Sequence, residues 1–325
     1  MTTQQGTIAF ITTPVYRQER RRKAERFILT HMYSLCRHFD VVCTGRTKDF
    51  IHEIIAAEPD PADTSRICDD LNCDKLTPEL LEQWRTTIRE NTEHNAEAHS
   101  VPGMICVTHR LVEGYVDAVI HLADWQDKSA KADSAVLSRQ ANVHDVPIAL
   151  DLATADAYAK TWKGAIARGV TKLFPTRNHP TPSPVGNLDL DAEEDEVLAM
   201  IAHDQMKLDL CCFAVRHADL IFKKYKYILA TGTTGGWLQN FMAACGRDAE
   251  AIGRIRRCNS GPYGGDVQIA YAVVKDLCND VVFFQDPMVA HAHDSDIRLF
   301  EQAVVHRDIS VRLATNVESA KLLIG

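Results

Sequence analysis

Short, near-continuous apolar runs alternate along this chain with longer stretches in which apolar residues return every three or four positions. Runs of the first kind occupy residues 8–11, 39–43, 116–122, 147–152, 197–201, 225–230, 281–284 and 311–317. An apolar run without polar alternation predicts a strand covered on both faces, and the helical stretches between the runs supply the cover. The expected class is α/β, in three-layer α/β/α domains with mainly parallel, Rossmann-like sheets. Ile105-Cys106-Val107 is another strand-like run of this kind.

The pattern occurs twice. Residues 8–11 lead into a helical stretch ending near His38, and residues 39–43 then run into Thr44-Gly45-Arg46-Thr47; residues 197–201 lead into a helical stretch ending near Lys224, and residues 225–230 run into Thr231-Gly232-Thr233-Thr234. Both halves close with a strand reaching an aspartate (Asp124, Asp286), a helix and a last strand. This predicts a tandem duplication of one domain. Between the halves, residues 175–196 carry Pro175, Pro180, Pro182 and Pro184 and then a run of acidic residues, the composition of an exposed linker. The expected domains are 1–174 and 197–325. Thr47 to Met104 is more than twice the span from Thr234 to Cys258, so the first half carries an insertion near residues 50–100, expected as a surface excursion with helix.

Candidate chemistry concentrates in the second half, where each polar cluster follows a predicted strand. In a parallel sheet all of them reach the carboxyl-end edge, where open α/β folds bind ligands. Thr231-Gly232-Thr233-Thr234-Gly235-Gly236 ends a strand and opens a helix, whose N-terminal amides and dipole attract an anion; a plain N-cap and tight turn explains the same residues about equally well taken alone. Ser260-Gly261-Pro262-Tyr263-Gly264-Gly265-Asp266 is a constrained loop that holds a serine and a carboxylate at fixed places. His203-Asp204 precedes Lys207 by about one helical turn, which puts a cation beside the other two. His291-Ala292-His293-Asp294-Ser295-Asp296 follows Asp286-Pro287. These imidazoles and carboxylates could ligate a metal, but the spacing matches no familiar metal motif.

Taken in order, the HD-x-x-K, TGTTG, SGPxGGD, DP and HDxD motifs and the closing Ala314-Thr315-Asn316-Val317 with Ala320 make the second half resemble methylglyoxal synthase, the lyase that converts dihydroxyacetone phosphate to methylglyoxal and phosphate. The resemblance implies that Lys207, Thr231, Gly232, Thr233, Thr234, Ser260 and Gly261 hold the substrate phosphate. It further implies that Asp266 is the base, that His203, His293 and Asp296 surround the reacting carbons, and that Asp204 and Asp286 belong to the same catalytic group. Abstracting a proton beside a carbonyl needs a placed carboxylate and a donor at the enediolate oxygen, which agrees with that assignment. No metal or organic cofactor is implied, and family members are homo-oligomers. The first half departs from the pattern. Thr13-Pro14 stands in place of His203-Asp204, and Thr108-His109-Arg110-Leu111 in place of the serine–glycine loop. No lyase activity is expected of it.

Composition narrows the alternatives. At 325 residues with 46% hydrophobic and 25% charged residues the chain is ordinary globular protein, and a formal net charge of -8 argues against a nucleic-acid partner. Ten cysteines without framework spacing predict reduced thiols and a cytoplasmic setting, and Cys68 with Cys73 is taken as coincidence. No run approaches the roughly 18 apolar residues that predict a membrane span. The rival reading is a non-catalytic regulatory module of the same fold that senses a phosphorylated metabolite. A metal-dependent hydrolase is third.

Overall fold

The computed structural model describes residues 5–97, 102–123, 131–174, 183–191, 195–286, 288, 294–304 and 311–324. The chain divides into two compact units, Met1–Asn178 and His179–Gly325.

In the first unit the elements run β1 (Thr7–Thr12), α1 (Pro14–Arg17), α2 (Arg21–His38), β2 (Asp40–Val42), α3 (Gly45–Ala56), α4 (Pro61–Leu71), α5 (Pro78–Asn95), α6 (Gly103–Val112), β3 (Ala118–Leu122), α7 (Lys131–Val143), β4 (Ile148–Ala149) and α8 (Leu152–Ala167). All strand pairs are parallel, in the order β2-β1-β3-β4. The period-2 alternation of a strand sends Ile8 and Phe10 to one face, in a core shared with Phe27, Ile28 and Met32 of α2. Ala9 and Ile11 meet Val107 and Leu111 of α6 and Leu137 of α7 on the other. A strand with helices on both sides has no use for polar positions, hence the unbroken apolar run.

Three sequence expectations change here. The insertion is not a surface excursion: Ile67 of α4 and Trp84 and Ile88 of α5 are 1%, 1% and 0% exposed and belong to the core around α2. Its helices start where Asp60 and Thr77 cap the N–H groups of Asp63 and Leu80, each followed by proline at the first helical position. Ile105-Cys106-Val107 is helical, because α6 is buried on almost every side and so carries a strand-like composition. Thr108 to Leu111 therefore lie inside α6 and replace no loop.

The second unit runs β5 (Glu196–Ala202), α9 (Lys207–Arg216), α10 (Ala218–Lys224), β6 (Tyr225–Ala230), α11 (Gly232–Ala244), α12 (Ala249–Gly253), β7 (Ile255–Arg257), α13 (Gly265–Val274), β8 (Asp280–Phe284), α14 (Asp294–Val304), β9 (Arg312–Ala314) and α15 (Val317–Ile324). Its sheet is parallel in the order β7-β6-β5-β8-β9. At the amino ends of three strands the buried carboxylate of Asp280 accepts from the Tyr225 hydroxyl at 2.6 Å, from Nε and Nη2 of Arg312 at 2.6 Å each and from Lys224 Nζ at 3.2 Å. Burial, and after it the bond to Asp280, raises the Tyr225 phenol above its usual range. Of the expected linker, residues 183–191, 195 and 196 are described, and they are not uniformly exposed loop: Ser183 caps a short 3-10 turn, Pro184–Asn187, Val185 is 2% exposed, and Glu196 already belongs to β5.

The two sheets share a register. Ile8 faces Ala118 and Val41 as Leu198 faces Asp280 and Ile228. Counted along those strands, Thr13 falls where His203 falls, Arg17 where Lys207, and Thr44 and Thr47 where Thr231 and Thr234. The hydroxyl pairs match too, Thr44 Oγ1 to Thr47 Oγ1 at 3.0 Å and Thr231 Oγ1 to Thr234 Oγ1 at 3.1 Å.

Candidate active site

Four chain segments leave the carboxyl ends of β5, β6, β7 and β8, and parallel topology brings them to one edge. After β5, a 3-10 turn over Asp204–Met206 leads into α9, whose first residue is Lys207. Its ammonium reaches Asp204 Oδ1 at 2.5 Å and Thr233 Oγ1 at 2.8 Å. The Lys207 side chain is 12% exposed and that of Asp204 87%, so the lysine is drawn inward while its carboxylate partner stays in solvent.

Beyond β6, Thr231 N-caps α11 by backbone conformation only. Its hydroxyl turns to Thr234 instead of the first-turn amides, so no side chain caps that helix. The amide of Gly232 donates to Asn259 O at 2.8 Å, tying the cradle to the loop after β7. That contact admits only glycine, since a Cβ at 232 would stand 2.9 Å from Ser260 N. Gly265 is tighter still, because a Cβ there would meet Asn259 O at 2.0 Å. Gln268 Oε1 accepts from Asn259 N at 2.7 Å and fixes the same loop from the side of α13. These bonds place Asp266, 4% exposed, in the first turn of α13, where the helix dipole favours a carboxylate.

His203 is 9% exposed, with its ring edge-on to Phe283 at 5.0 Å between centroids. Its Nδ1 accepts from the backbone N–H of Asp286 at 2.8 Å. A nitrogen that accepts carries no proton, so the ring is neutral with its hydrogen on Nε2.

A pocket of about 430 Å³, open mouth included, forms between these segments. His203, Asp204, Lys207, Thr231, Thr233, Gly261 and Asp266 line it, so the expected base, cation and hydroxyls share one cavity. The remaining expected residues support the wall or stand back from it. Thr234 is fully buried under the cradle, Gly232 packs on the 259–260 backbone, and Ser260 lies in the loop behind Gly261. Asp286 follows β8 with its amide on His203, and Asp296 is 0% exposed in the first turn of α14 beside Ser295 Oγ at 3.2 Å. His293 lies outside the described residues, as do Asp124, Pro287 and His291. Phe283, Ile297, Ile201, Ala202 and Pro262 complete the lining, and sequence reasoning missed all five. All but Pro262 are apolar residues of the kind any core contains.

Among the described residues no group of three or more His, Cys, Asp or Glu side chains is placed to hold a metal. No described helix is long and apolar enough to cross a membrane.

No family model matches the chain. Individual relatives do. A methylglyoxal synthase of Thermus thermophilus is 40% identical over 132 residues, which is 40% of this chain and 93% of that protein. Those of Cupriavidus taiwanensis and Clostridium beijerinckii are 41% and 36% identical over 129 residues, covering 86% and 96% of their lengths. Among solved structures, the methylglyoxal synthase of Elizabethkingia anophelis NUHP1 is 32% identical over 41% of this chain and 78% of its own, at a TM-score of 0.34. Nearly whole relatives thus match about two fifths of this sequence at identities around 40%, and on that ground the chain belongs to the methylglyoxal synthase family.

Proposed function

We propose that the second unit is a methylglyoxal synthase, a carbon–oxygen lyase that converts dihydroxyacetone phosphate to methylglyoxal and inorganic phosphate. One observation carries this reading: the buried carboxylate of Asp266 lines the same pocket as Lys207, Thr231 and Thr233. An anion held by the lysine and the threonine cradle would place the rest of a three-carbon substrate within reach of a base. Asp204 stands in solvent, which screens its pairing with Lys207, so a phosphate dianion can take Asp204's place on the ammonium.

In the proposed reaction Asp266 removes a proton from the carbon beside the ketone, and the electron pair moves to the carbonyl oxygen as an enediolate. His293 donates to that oxygen, and His203, its hydrogen held on Nε2, offers a second donor within the pocket. The enediolate expels phosphate by breaking the bond between carbon and the bridging oxygen, and the resulting enol tautomerises to methylglyoxal. Asp296 and Asp286 are assigned to holding the histidine-bearing segments, and Thr234, Gly232, Ser260 and Gly261 to shaping the phosphate cradle. Keeping the breaking bond perpendicular to the enediolate plane favours elimination over reprotonation.

The first unit is proposed as a degenerate copy of the same domain. Its sheet keeps the order and register of β6-β5-β8-β9, yet Thr13-Pro14 occupies the place of His203-Asp204. α6 and α13 are equally long and equally spaced from the next strand, and that alignment puts Met104 where Asp266 stands. Without the carboxylate the first unit has no base at this position. We place the protein in the cytoplasm as a homo-oligomer, by analogy with the family and from its ten cysteines, all of them thiols.

The test is incubation with dihydroxyacetone phosphate while methylglyoxal is measured, with Asp266→Asn alongside. Loss of a general base predicts a kcat lower by about 100-fold or more in the variant. Phosphate binding without methylglyoxal release by the wild type would install the sensor reading. A variant at full rate would remove Asp266 from its role.

A further inference from the structure

Helix α4 ends at Asn72, whose backbone is left-handed at φ 56° and ψ 52°. The amide of Cys73 then donates back to the carbonyl of Cys68 at 3.0 Å. A six-to-one bond across a left-handed residue is the helix-ending turn that brings its first and last side chains into contact. Here both are cysteines, both partly exposed and both free thiols. Neighbouring anchors hold the turn in place. Asp70, between the two cysteines, is buried and accepts from Tyr33 N at 2.9 Å, Ser34 Oγ at 2.6 Å and Lys163 Nζ at 3.1 Å.

The other cysteines differ. Six of the ten are buried, and burial pushes the Cys43 and Cys278 thiols up to about 12, which leaves them inert near neutral pH. Cys212 and Cys245 are exposed.

We propose that Cys68 and Cys73 are a modification site: a dithiol that closes reversibly to an intrachain disulfide by exchange with a small disulfide of the oxidised glutathione class. One thiolate attacks a sulfur of the external disulfide and releases one thiol. The second protein thiol, giving up its proton, then attacks the mixed disulfide and releases the other. The protein loses two protons and two electrons, and the external disulfide is reduced to two thiols. Partial burial and then the Cys73 contact raise the Cys68 thiol, so Cys68 is the poorer first attacker and the natural second. The left-handed turn at Asn72, closed by the bond from Cys73 N to Cys68 O, supplies what the spacing alone does not.

The experiment treats the full native chain with glutathione buffers of increasing oxidation, blocks remaining thiols by alkylation and digests with trypsin. Arg66 and Lys75 bracket the pair, so both cysteines fall on the peptide 67–75. The expected product is that peptide lighter by two hydrogens and free of alkylating agent, returning to the dithiol with dithiothreitol, while Cys212 carries a single glutathione. Two glutathiones on the peptide, two alkylated cysteines where Cys212 has reacted, or a bond between two chains would each overturn the proposal.

Discussion

Gly265→Ala tests the packing that positions the site. The new methyl carbon would stand 2.0 Å from Asn259 O, whereas carbon–oxygen contacts settle at about 3.3 Å or more, so the backbone must part by ~1 Å. Overpacking of this kind costs about 1–3 kcal/mol, and here the obstacle is main chain that no rotamer change can move. Asn259 O also accepts the Gly232 amide at 2.8 Å, and losing that bond adds about 1 kcal/mol. The expected destabilisation is ~2–4 kcal/mol, read as a lower denaturation midpoint. Because Asp266 is the next residue and Gly232 opens the cradle, base and anion site move apart, and a displacement near 1 Å costs roughly 100-fold in rate. Gly253→Ala, where nothing lies within 4 Å of the added carbon, serves as the control and should match the wild type. A Gly265→Ala protein with the wild-type midpoint and a rate within about threefold would refute this account of the loop.

Lys207→Ala should raise KM for dihydroxyacetone phosphate about 10- to 100-fold while leaving kcat less affected, the value of a charge-assisted bond to phosphate; an unchanged KM in initial-rate assays would take Lys207 out of the anion site. His121, 1% exposed within the first unit, has its imidazole pushed down by burial to about 4 from 6.5. The unfolded chain then takes up this proton first as pH falls, so stability present above pH 6.5 is lost progressively toward pH 4, by about 3 kcal/mol. His121→Phe, the residue at the matching register position of the second sheet, should abolish that slope in denaturant titrations; parallel wild-type and variant curves from neutral pH to about pH 4 would disprove it.

The strands and the polar clusters that follow them are legible in the sequence for one reason: parallel strands are buried on both faces, so they are written as unbroken apolar runs, and their topology carries whatever follows to one edge. The same logic misleads at Ile105-Cys106-Val107, where a helix buried nearly all round has the composition of a strand. Trp84 and Ile88 sit in a polar helix with an apolar stripe only one residue wide, too faint to separate from an exposed segment. Phe283 and Ile297 line the pocket with side chains indistinguishable in type from core residues. The contact between Cys68 and Cys73 depends on a left-handed Asn72, a conformation asparagine tolerates but does not announce.

Asp280 gives the second sheet an unequal pair of edges. Its carboxylate gathers Tyr225 from the root of β6 and Arg312 from the root of β9 onto β8, so three strands, with β5 enclosed between β6 and β8, are knotted together at one end. Any spreading of those strands must then open like the ribs of a fan, least beside the knot and most where Thr231 and His203 stand. Adaptation to a guest of different girth is confined to the tips, and the foundation can stay constant while the rim diversifies.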